Sequence, residues 1–520
     1  MPNYKTTDSN QYQWFELCLA EFYSASHPIN QFLSLLKRLD WSKFDMSYKN
    51  HSGKGGSSAY PPDRVVAVLI WHFLYGNRSM RQLERDLERR VDLIFLSGGL
   101  RMDHSTLSRF RTRHKEALDD LFNQTVFLGV LSGLIDFETV CIDGTKLKAY
   151  AGKSGFHKQA DLERLHKEVQ KSCQKRFEEL ESCNEEVEKR LIEKKVNQLK
   201  TREAKIEHGL QFLKTHTDRD SVHLTDPDCR WQKDKDRGFI PGYNGQIAVD
   251  SKSQMIVSQQ LVSDNTDTNQ GMAMIQKTES QKETFKDLQT PGKMHHLTKT
   301  HYVMDSGYYS ESNLEAMSEY DVYMPDINLA HQMKTRKTTD QKSLDTELPN
   351  QSSSDTSYKE MKYKYHADGD YFTCPKGKRL NFYRTFQLNN RSYRGYRRSG
   401  CAKCVLNEHC TTQKSRKEIA VRADILTLPS EVTYHRSSKK SGLHNVQGKY
   451  TKAMREKLET DAGKKIYKMR QWVVEGVFAV MNAIRNGDEL FRRGIDRSST
   501  EWTEQCITHN IGKLLHYRVT

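Results

Sequence analysis

The sequence predicts a mixed α/β protein with one central sheet and helices on its faces, and three observations lead to that class. Two short apolar runs end on acids, 139–142 before Asp143 and 302–304 before Asp305, and each reads as a strand. Hydropathy then alternates with period two over residues 245–250 and 256–262, on either side of the polar stretch 251–254, as in a β-hairpin. Finally, Met469, Trp472, Val473, Val477, Val480 and Met481 recur at helical spacing, so one face of a helix enters a core. Glu475 falls within that apolar run, where a carboxylate needs a base or a metal ion as partner, because an unpaired buried charge is expensive. Two strand-end aspartates and a helix glutamate can converge on divalent metal. Oxygen ligands favour Mg²⁺ or Mn²⁺ over zinc there.

A chain of 520 residues is long enough for two to four domains, although a mean hydropathy of -0.81 means that much surface accompanies the core. Lysine and arginine number 82 against 67 acids, a net +15 and a pI near 9.1, which points to a polyanion, and nucleic acid before any other. The sequence has no apolar run near the roughly 20 residues that span a bilayer, and its N-terminus has no signal-peptide core, so a soluble, intracellular protein is expected. Ten cysteines without an export signal read as reduced thiols plus one metal site.

Residues 1–60 read as an arm and linker, ending in the polar Gly/Ser stretch 51–58. Residues 61–130 read as a helical DNA-binding domain. Pro61 and Pro62 open one helix, Gly76 and Asn77 stop it, a second begins at Ser79 and a third at Asp103 or Ser105. In a helix-turn-helix, Arg109, Arg111 and Arg113 are available to phosphates or base edges. A helical bundle with a solvated basic face fits residues 61–125 equally well, and the net charge favours DNA.

Within residues 155–215 a stretch free of Gly and Pro places Leu162, Leu165, Val169, Cys173, Phe177 and Leu180 at three/four spacing. That predicts an antiparallel helical hairpin, inserted as a solvated arm or a dimer contact. A turn at 241–245 then enters the β-hairpin, followed by a helix from about Thr268, the strand ending at Asp305, a helix capped near Ser310 and a short strand 322–324 closed by Pro325. Residues 331–370 are polar and read as a linker. Residues 371–422 read as a Cys-rich basic insertion. Cys374, Cys401, Cys404 and Cys410 suit a closed tetrahedral zinc site, and reduced cysteines in a small β-module fit as well. Arg384, Arg391, Arg394, Arg397 and Arg398 interleave with Tyr383, Phe386, Tyr393 and Tyr396, a surface suited to phosphate contact and base stacking.

Taken together, these residues resemble the DDE transposases of bacterial insertion sequences, over most of the chain from about Pro61 to His516. Residues 103–111 resemble the most recognisable phrase of the family's N-terminal transposase domain, and Asp143, Gly144, Thr145 and Lys146 its first catalytic acid and turn. Residues 225–230 with 242–246 resemble the segment feeding the central hairpin. Asp305, Ser306, Gly307 and Tyr308 resemble the second acid, and Tyr467, Arg470 and Glu475 the last, followed by Phe491, Arg492, Arg493 and Gly494.

The resemblance implies a ribonuclease-H-like catalytic domain over 135–330 plus 455–520, with Asp143, Asp305 and Glu475 holding two divalent ions. It implies double-stranded DNA as partner, both terminal repeats and target, and a homodimer in the synaptic complex. Tyr467 and Arg470 resemble the family's phosphate-positioning pair. Trp472 can stack on an extruded base, the core being the commoner place for a tryptophan. Where the family commonly carries lysine seven positions after the glutamate, this chain has Asn482, and Arg485, one turn further, is the candidate substitute. A nuclease that stops at hydrolysis and a non-catalytic DNA-binding regulator are the competing readings.

Overall fold

The computed structural model describes residues 13–14, 17–18, 22–46, 58–287, 300–327, 329–330, 333, 362–374, 376–388, 391–404, 416–423, 433–435 and 445–518. Most of the linker expected over 331–370, most of the Gly/Ser stretch 51–58 and Cys410 lie outside the described residues, while residues 362–370 of that expected linker are strand and turn. The chain divides into two compact units, Met1–Tyr302 with Met469–Thr520, and Val303–Lys468.

The first unit opens with helices. Helix α1 (Pro28–Leu36) buries Ile29, Phe32, Leu35 and Leu36, and Phe32 packs on Trp71 with ring centroids 5.3 Å apart, so part of the expected arm belongs to the core. Helix α2 (Pro62–Leu74) starts on proline, whose fixed φ suits a first turn, and stops before Gly76, held at φ +76. Helix α3 (Met80–Asp86) is capped by Ser79, which accepts from Gln82 N at 3.3 Å. Helix α4 (Val91–Ser97), which periodicity alone does not separate from its neighbours, is closed by Gly98 in the left-handed region. Helix α5 (His104–Arg113) is capped by Asp103, which accepts from Thr106 N at 2.9 Å, and α6 (Lys115–Leu131) follows.

Strand β1 (Thr139–Lys148) pairs antiparallel with β3 (Gly238–Asp250), which also pairs with β2 (Arg230–Asp234) and β4 (Ile256–Val262). Two sequence expectations need correction here. Asp143 does not end its strand at a turn, because the ladder continues through Asp143↔Ile247 and Thr145↔Gly245 to Lys148. The apolar run stops at Ile142 because residues 143–146 are only half-buried, not because the strand stops. Likewise 241–245 is not a turn but the middle of β3. A Cβ at Gly242 would lie 2.3 Å from the Leu147 carbonyl oxygen and one at Gly245 2.9 Å from the Trp502 ring, so these glycines serve close approach of neighbours.

Between β1 and β2, α7 (Gln159–Ser182) and α8 (Glu186–Thr215) fold back as a helical hairpin around Leu162, Val169, Cys173, Ile206 and Leu213. Helix α9 (Gly271–Asp287) follows β4, with Ser258 and Thr278 hydroxyls 2.7 Å apart. Strand β5 (His301–Met304) begins in this unit, where His301 N donates to the Glu138 carbonyl at the entry to β1.

Helix α13 (Ile495–His516) is buried for most of its length although it is rich in polar residues, and several of its polar groups have partners on other elements. Arg78 Nη2 meets Glu501 at 2.5 Å, and Arg111 grips Glu504 through Nε at 2.7 and 2.8 Å. Asn510 exchanges two 2.8 Å bonds with the Ile256 backbone, and Thr503 donates to Asp119 at 2.8 Å. The loop after α2 and helices α5 and α6 are thereby tied to α13 and, through it, to β4.

Burial leaves three imidazoles of this unit neutral: His72 and His114 are pushed down to about 4 and His509 to about 3. Below about pH 6.5 the unfolded chain binds protons that these sites refuse, so stability falls as pH drops, by roughly 1.4 kcal/mol per unit for each histidine. Asp250 works in the opposite sense. Burial lifts its carboxyl to about 7, so between about 4 and 7 it offsets roughly one of the three. The urea midpoint is therefore expected to be clearly lower at pH 5 than at pH 7; equal midpoints would mean that the folded protein accepts those protons.

The second unit holds the end of β5, helix α10 (Glu311–Ala316) and strand β6 (Asp321–Tyr323), which lies beside β5 in the strand order. It also holds a seven-stranded sheet of β7 (Lys362–His366), β8 (Tyr371–Thr373), β9 (Arg379–Leu388), β10 (Arg391–Ser399), β11 (Arg416–Arg422), β12 (Thr433–His435) and β13 (Asn445–Gln447). The order is β11-β10-β9-β8-β7-β12-β13, antiparallel throughout. This sheet extends beyond the expected Cys-rich insertion. Helix α11 (Lys449–Glu459) begins against the buried Glu311 carboxylate, which accepts from Tyr450 N at 2.8 Å and Thr451 N at 3.2 Å, an anion at a helix N-terminus. Helix α12 (Asp461–Phe478) then leads back into the first unit.

Candidate active site

Side chains alternate along β1, so Cys141, Asp143 and Thr145 share one face and Gly144 and Lys146 the other. On the first face Asp143 is 17% exposed, and its Oδ2 accepts from Arg470 Nη2 on α12 at 2.9 Å, across 327 residues of sequence. Its Oδ1 accepts from the Gly144 amide at 2.9 Å. Asn482 Nδ2 reaches Thr145 Oγ1 at 3.4 Å, so the residue standing where the family commonly carries lysine lies beside the same strand face.

Helix α12 buries Val473, Val474 and Val477, and Met481 just beyond it is buried too, whereas Trp472 is 51% exposed. Glu475 is exposed as well, one helical turn from Trp472. This corrects the expectation that Glu475 sits among core residues: the apolar stripe is narrower than its spacing implied, and the carboxylate stands in solvent without needing a buried partner. The chain then passes through a π-helical turn at Ala479–Ile484, with Arg485 N bonded to the Val480 carbonyl at 3.2 Å. The extra residue in that turn parts Arg485 from Asn482. Arg485 is turned against α13, where a Cβ on Gly512 would meet its Nη2 at 2.6 Å, and burial lowers its guanidinium to about 10.

Two supports around β1 and α12 carry no signal in the sequence. Gln254, in the β3–β4 turn at φ +62, donates from Nε2 to the Trp472 carbonyl at 2.9 Å. Its Oε1 accepts from Lys513 Nζ at 2.8 Å, and its carbonyl from His509 Nε2 at 2.8 Å. A Cβ on Gly476 would lie 3.4 Å from the Gln254 amide nitrogen, so this side chain rests on the backbone beside Glu475. Gln254→Ala removes both side-chain bonds and is expected to cost about 1–3 kcal/mol in chemical denaturation, a loss under 0.5 kcal/mol counting against the clamp. On the opposite face, Asp267 Oδ1 accepts from Asn244 at 2.7 Å, Gln246 at 2.9 Å and Lys146 at 3.2 Å. A Cβ at Gly144 would come within 2.3 Å of Gln246 Nε2, so any side chain there would push the Gln246 amide out of its bonds to Asn244 and Asp267.

In the second unit Asp305 follows β5 directly and caps a 3₁₀ turn, accepting from Ser306 Oγ at 2.9 Å and the Gly307 amide at 3.3 Å. Tyr467 is half-buried on the first part of α12.

The basic residues named from sequence divide. Arg109 and Arg113 are exposed on α5, but Arg111 is 2% exposed and committed to Glu504, so it is not available to DNA. Arg394 is bound to Asp370, whereas Arg397 is 40% exposed and 3.5 Å from Glu418. Cys374, Cys401 and Cys404 are half-buried and form no disulfide. Among the described residues, the trio of potential metal ligands lying within 4.8 Å of one another is His166, Glu203 and Glu207, not these cysteines.

A family model described as transposase DDE domain matches residues 373–515, and another described as transposase domain (DUF772) matches residues 18–113. Together they support an insertion-sequence DDE transposase. No curated protein matches the chain at a significant level. The DDE match contains Tyr467, Arg470, Glu475 and Asn482, while Asp143 and Asp305 lie outside it. The helical match contains α1 to α5 and thus the packed residues ahead of Pro61. DDE transposases act on DNA and generally use divalent metal. No helix among the described residues is long and apolar enough to cross a membrane.

Proposed function

We propose that this transposase binds the terminal repeats of its element, cuts the DNA there with Asp143, Asp305 and Glu475, and transfers the freed 3′ ends to target DNA. The observation that carries the reading is the Arg470–Asp143 pair at 2.9 Å: it joins the helix of the DDE match to an acid outside that match, on the face of β1 that the resemblance assigns to the first catalytic carboxylate. We read the surrounding sheet and helices as a ribonuclease-H-like core.

Three carboxylates form a hard oxygen donor set that fits Mg²⁺ or Mn²⁺, which Asp143, Asp305 and Glu475 would hold; when bound, such ions activate water and stabilise the leaving oxygen. The chain's own residues do the rest. Arg470 fixes the Asp143 carboxylate by a charge-assisted bond and brings positive charge to a place where a phosphate must lie. Gln254 holds the helix under Glu475. Asn482 offers its amide where the family commonly has lysine, and Arg485, folded against α13, is the lesser candidate for that role. Arg109 and Arg113 on the exposed side of α5 meet duplex phosphates. Hydrolysis breaks a P–O3′ bond at the element end, with water adding to phosphorus and the 3′ oxygen leaving protonated. That hydroxyl then attacks a target phosphodiester, displacing its 3′ oxygen. Two element ends require two active sites, hence a homodimer.

The test is labelled DNA carrying the parent element's ends, incubated with protein, Mg²⁺ or Mn²⁺ and a target plasmid. Nicking at the ends with covalent joining is the expected result. Nicking without joining would reduce the protein to a nuclease, and binding without nicking would overturn the catalytic reading in favour of a regulator.

A further inference from the structure

The seven-stranded sheet of the second unit has two unlike faces. One carries an apolar core of Tyr363, Phe372, Leu380, Tyr396, Ile419 and Val421. Asp370 serves that side, accepting from Tyr396 at 2.7 Å and Tyr365 at 2.8 Å and holding Arg394. The basic and aromatic character of the sequence is thus partly structural.

The other face, among the described residues, is basic and aromatic, with its arginines exposed and its rings partly so. Register places Arg397 opposite Asn381, Arg384 opposite Gly395, and Phe386 opposite Tyr393. Tyr383 lies across the strand at Gly395, where a Cβ would come within 2.8 Å of its ring, so β10 carries no side chain there and the ring lies against the sheet. Arg397 sits 4.2 Å and Arg384 5.3 Å from the Tyr383 ring, and Arg384 also covers Phe386 at 4.9 Å. Phe386 in turn stacks on Tyr393 at 5.7 Å. On β8, Tyr371 lies between Arg379 at 4.1 Å and His366 at 4.6 Å. Arg379, Arg384 and Arg397 are exposed, and the acid of this face, Glu418, is engaged by Arg397 and by the Tyr383 hydroxyl at 3.3 Å.

We propose that this face binds a single DNA strand, with bases stacked on the guanidinium groups that the Tyr371, Tyr383 and Phe386 rings support, and phosphates held at the edges of Arg379, Arg384 and Arg397. The charge is complementary to a polyanion, and rings alternating with flat guanidinium groups accept any base without reading its edge. A duplex is the poorer occupant. Its bases offer no free faces, and its major groove admits a two-stranded ribbon rather than the face of a wide sheet. The proposal rests on the reading that this chain acts on DNA, and it assigns the strand form.

Fluorescence anisotropy of the full-length protein with a labelled oligonucleotide of about 12 nucleotides, and with its duplex, tests it. Wild type is expected to bind the single strand. Tyr383→Ala and Phe386→Ala should each weaken that binding about tenfold with little effect on the duplex, Tyr383→Phe should retain it, and Arg384→Gln should lower the salt slope by about 0.7. Thermal melts identify any variant that has lost its fold, and the exposed Arg384→Gln keeps the test open in that case. Single-strand binding unchanged in folded variants overturns the platform, as does equal loss of both DNA forms. Failure of end cleavage by wild type, measured separately, would fall on the transposase reading and leave single-strand binding as it is.

Discussion

Asp143→Asn, Asp305→Asn and Glu475→Gln are each expected to lower cleavage of element-end DNA by about 10³-fold or more while leaving binding of that DNA nearly intact. The size follows from the chemistry: a carboxylate that holds a catalytic cation contributes several kcal/mol to stabilising the transition state, and each 1.36 kcal/mol is a factor of ten in rate. Amide replacements keep shape and remove charge, so the fold should survive. Asp143→Asn weakens its contact with Arg470, 2.9 Å away, and a modest loss of thermal stability is expected there. Glu475, standing in solvent, should show none. Gel-shift and cleavage assays on the same preparations separate the effects. A variant that cuts like wild type would remove its residue from the catalytic set, and the proposed mechanism with it.

Arg111→Met is expected to destabilise the first unit by about 3–5 kcal/mol, because it leaves the Glu504 carboxylate buried without its cation. The double variant Arg111→Met with Glu504→Leu should recover most of that loss, since two apolar side chains of similar volume avoid the desolvation that the ion pair suffers. Denaturant unfolding of the wild type, both single variants and the double variant forms a complete cycle. A loss below 1 kcal/mol in Arg111→Met would mean that the pair is solvated in solution. Retained DNA binding by a folded Arg111 variant would agree with its burial.

The alternation in 256–262, the cap residues Ser79 and Asp103, and the proline start of α2 were legible because each acts within a few residues of itself. Glu475 was harder. A helical repeat fixes which residues share a stripe but not how far round the helix that stripe extends, so Trp472 and Glu475 could be placed inside when both are outside. The continuation of β1 through Asp143 and Gly144 was hidden for a related reason: an Asp-Gly pair after an apolar run has the composition of a turn, and only the partner strand shows that the ladder goes on. Arg111 was misread because an arginine in a basic helix has the same local signature whether it meets phosphate or a glutamate 393 residues away.

By itself the sequence determined the mixed α/β class, the strand that holds Asp143 and the one that ends before Asp305, the helix that carries Glu475, and the basic balance that calls for DNA, because hydropathy period, turn chemistry and net charge are local or additive quantities. Tertiary structure alone decided that Arg470 meets Asp143, that Gln254 clamps the glutamate helix, that Arg485 turns away from Asn482 at a π turn, and which arginines of the seven-stranded sheet face solvent. Each of those depends on strands and helices distant in the chain coming into register, and the free energy of such contacts is set by burial and partner geometry, which no single stretch of sequence contains.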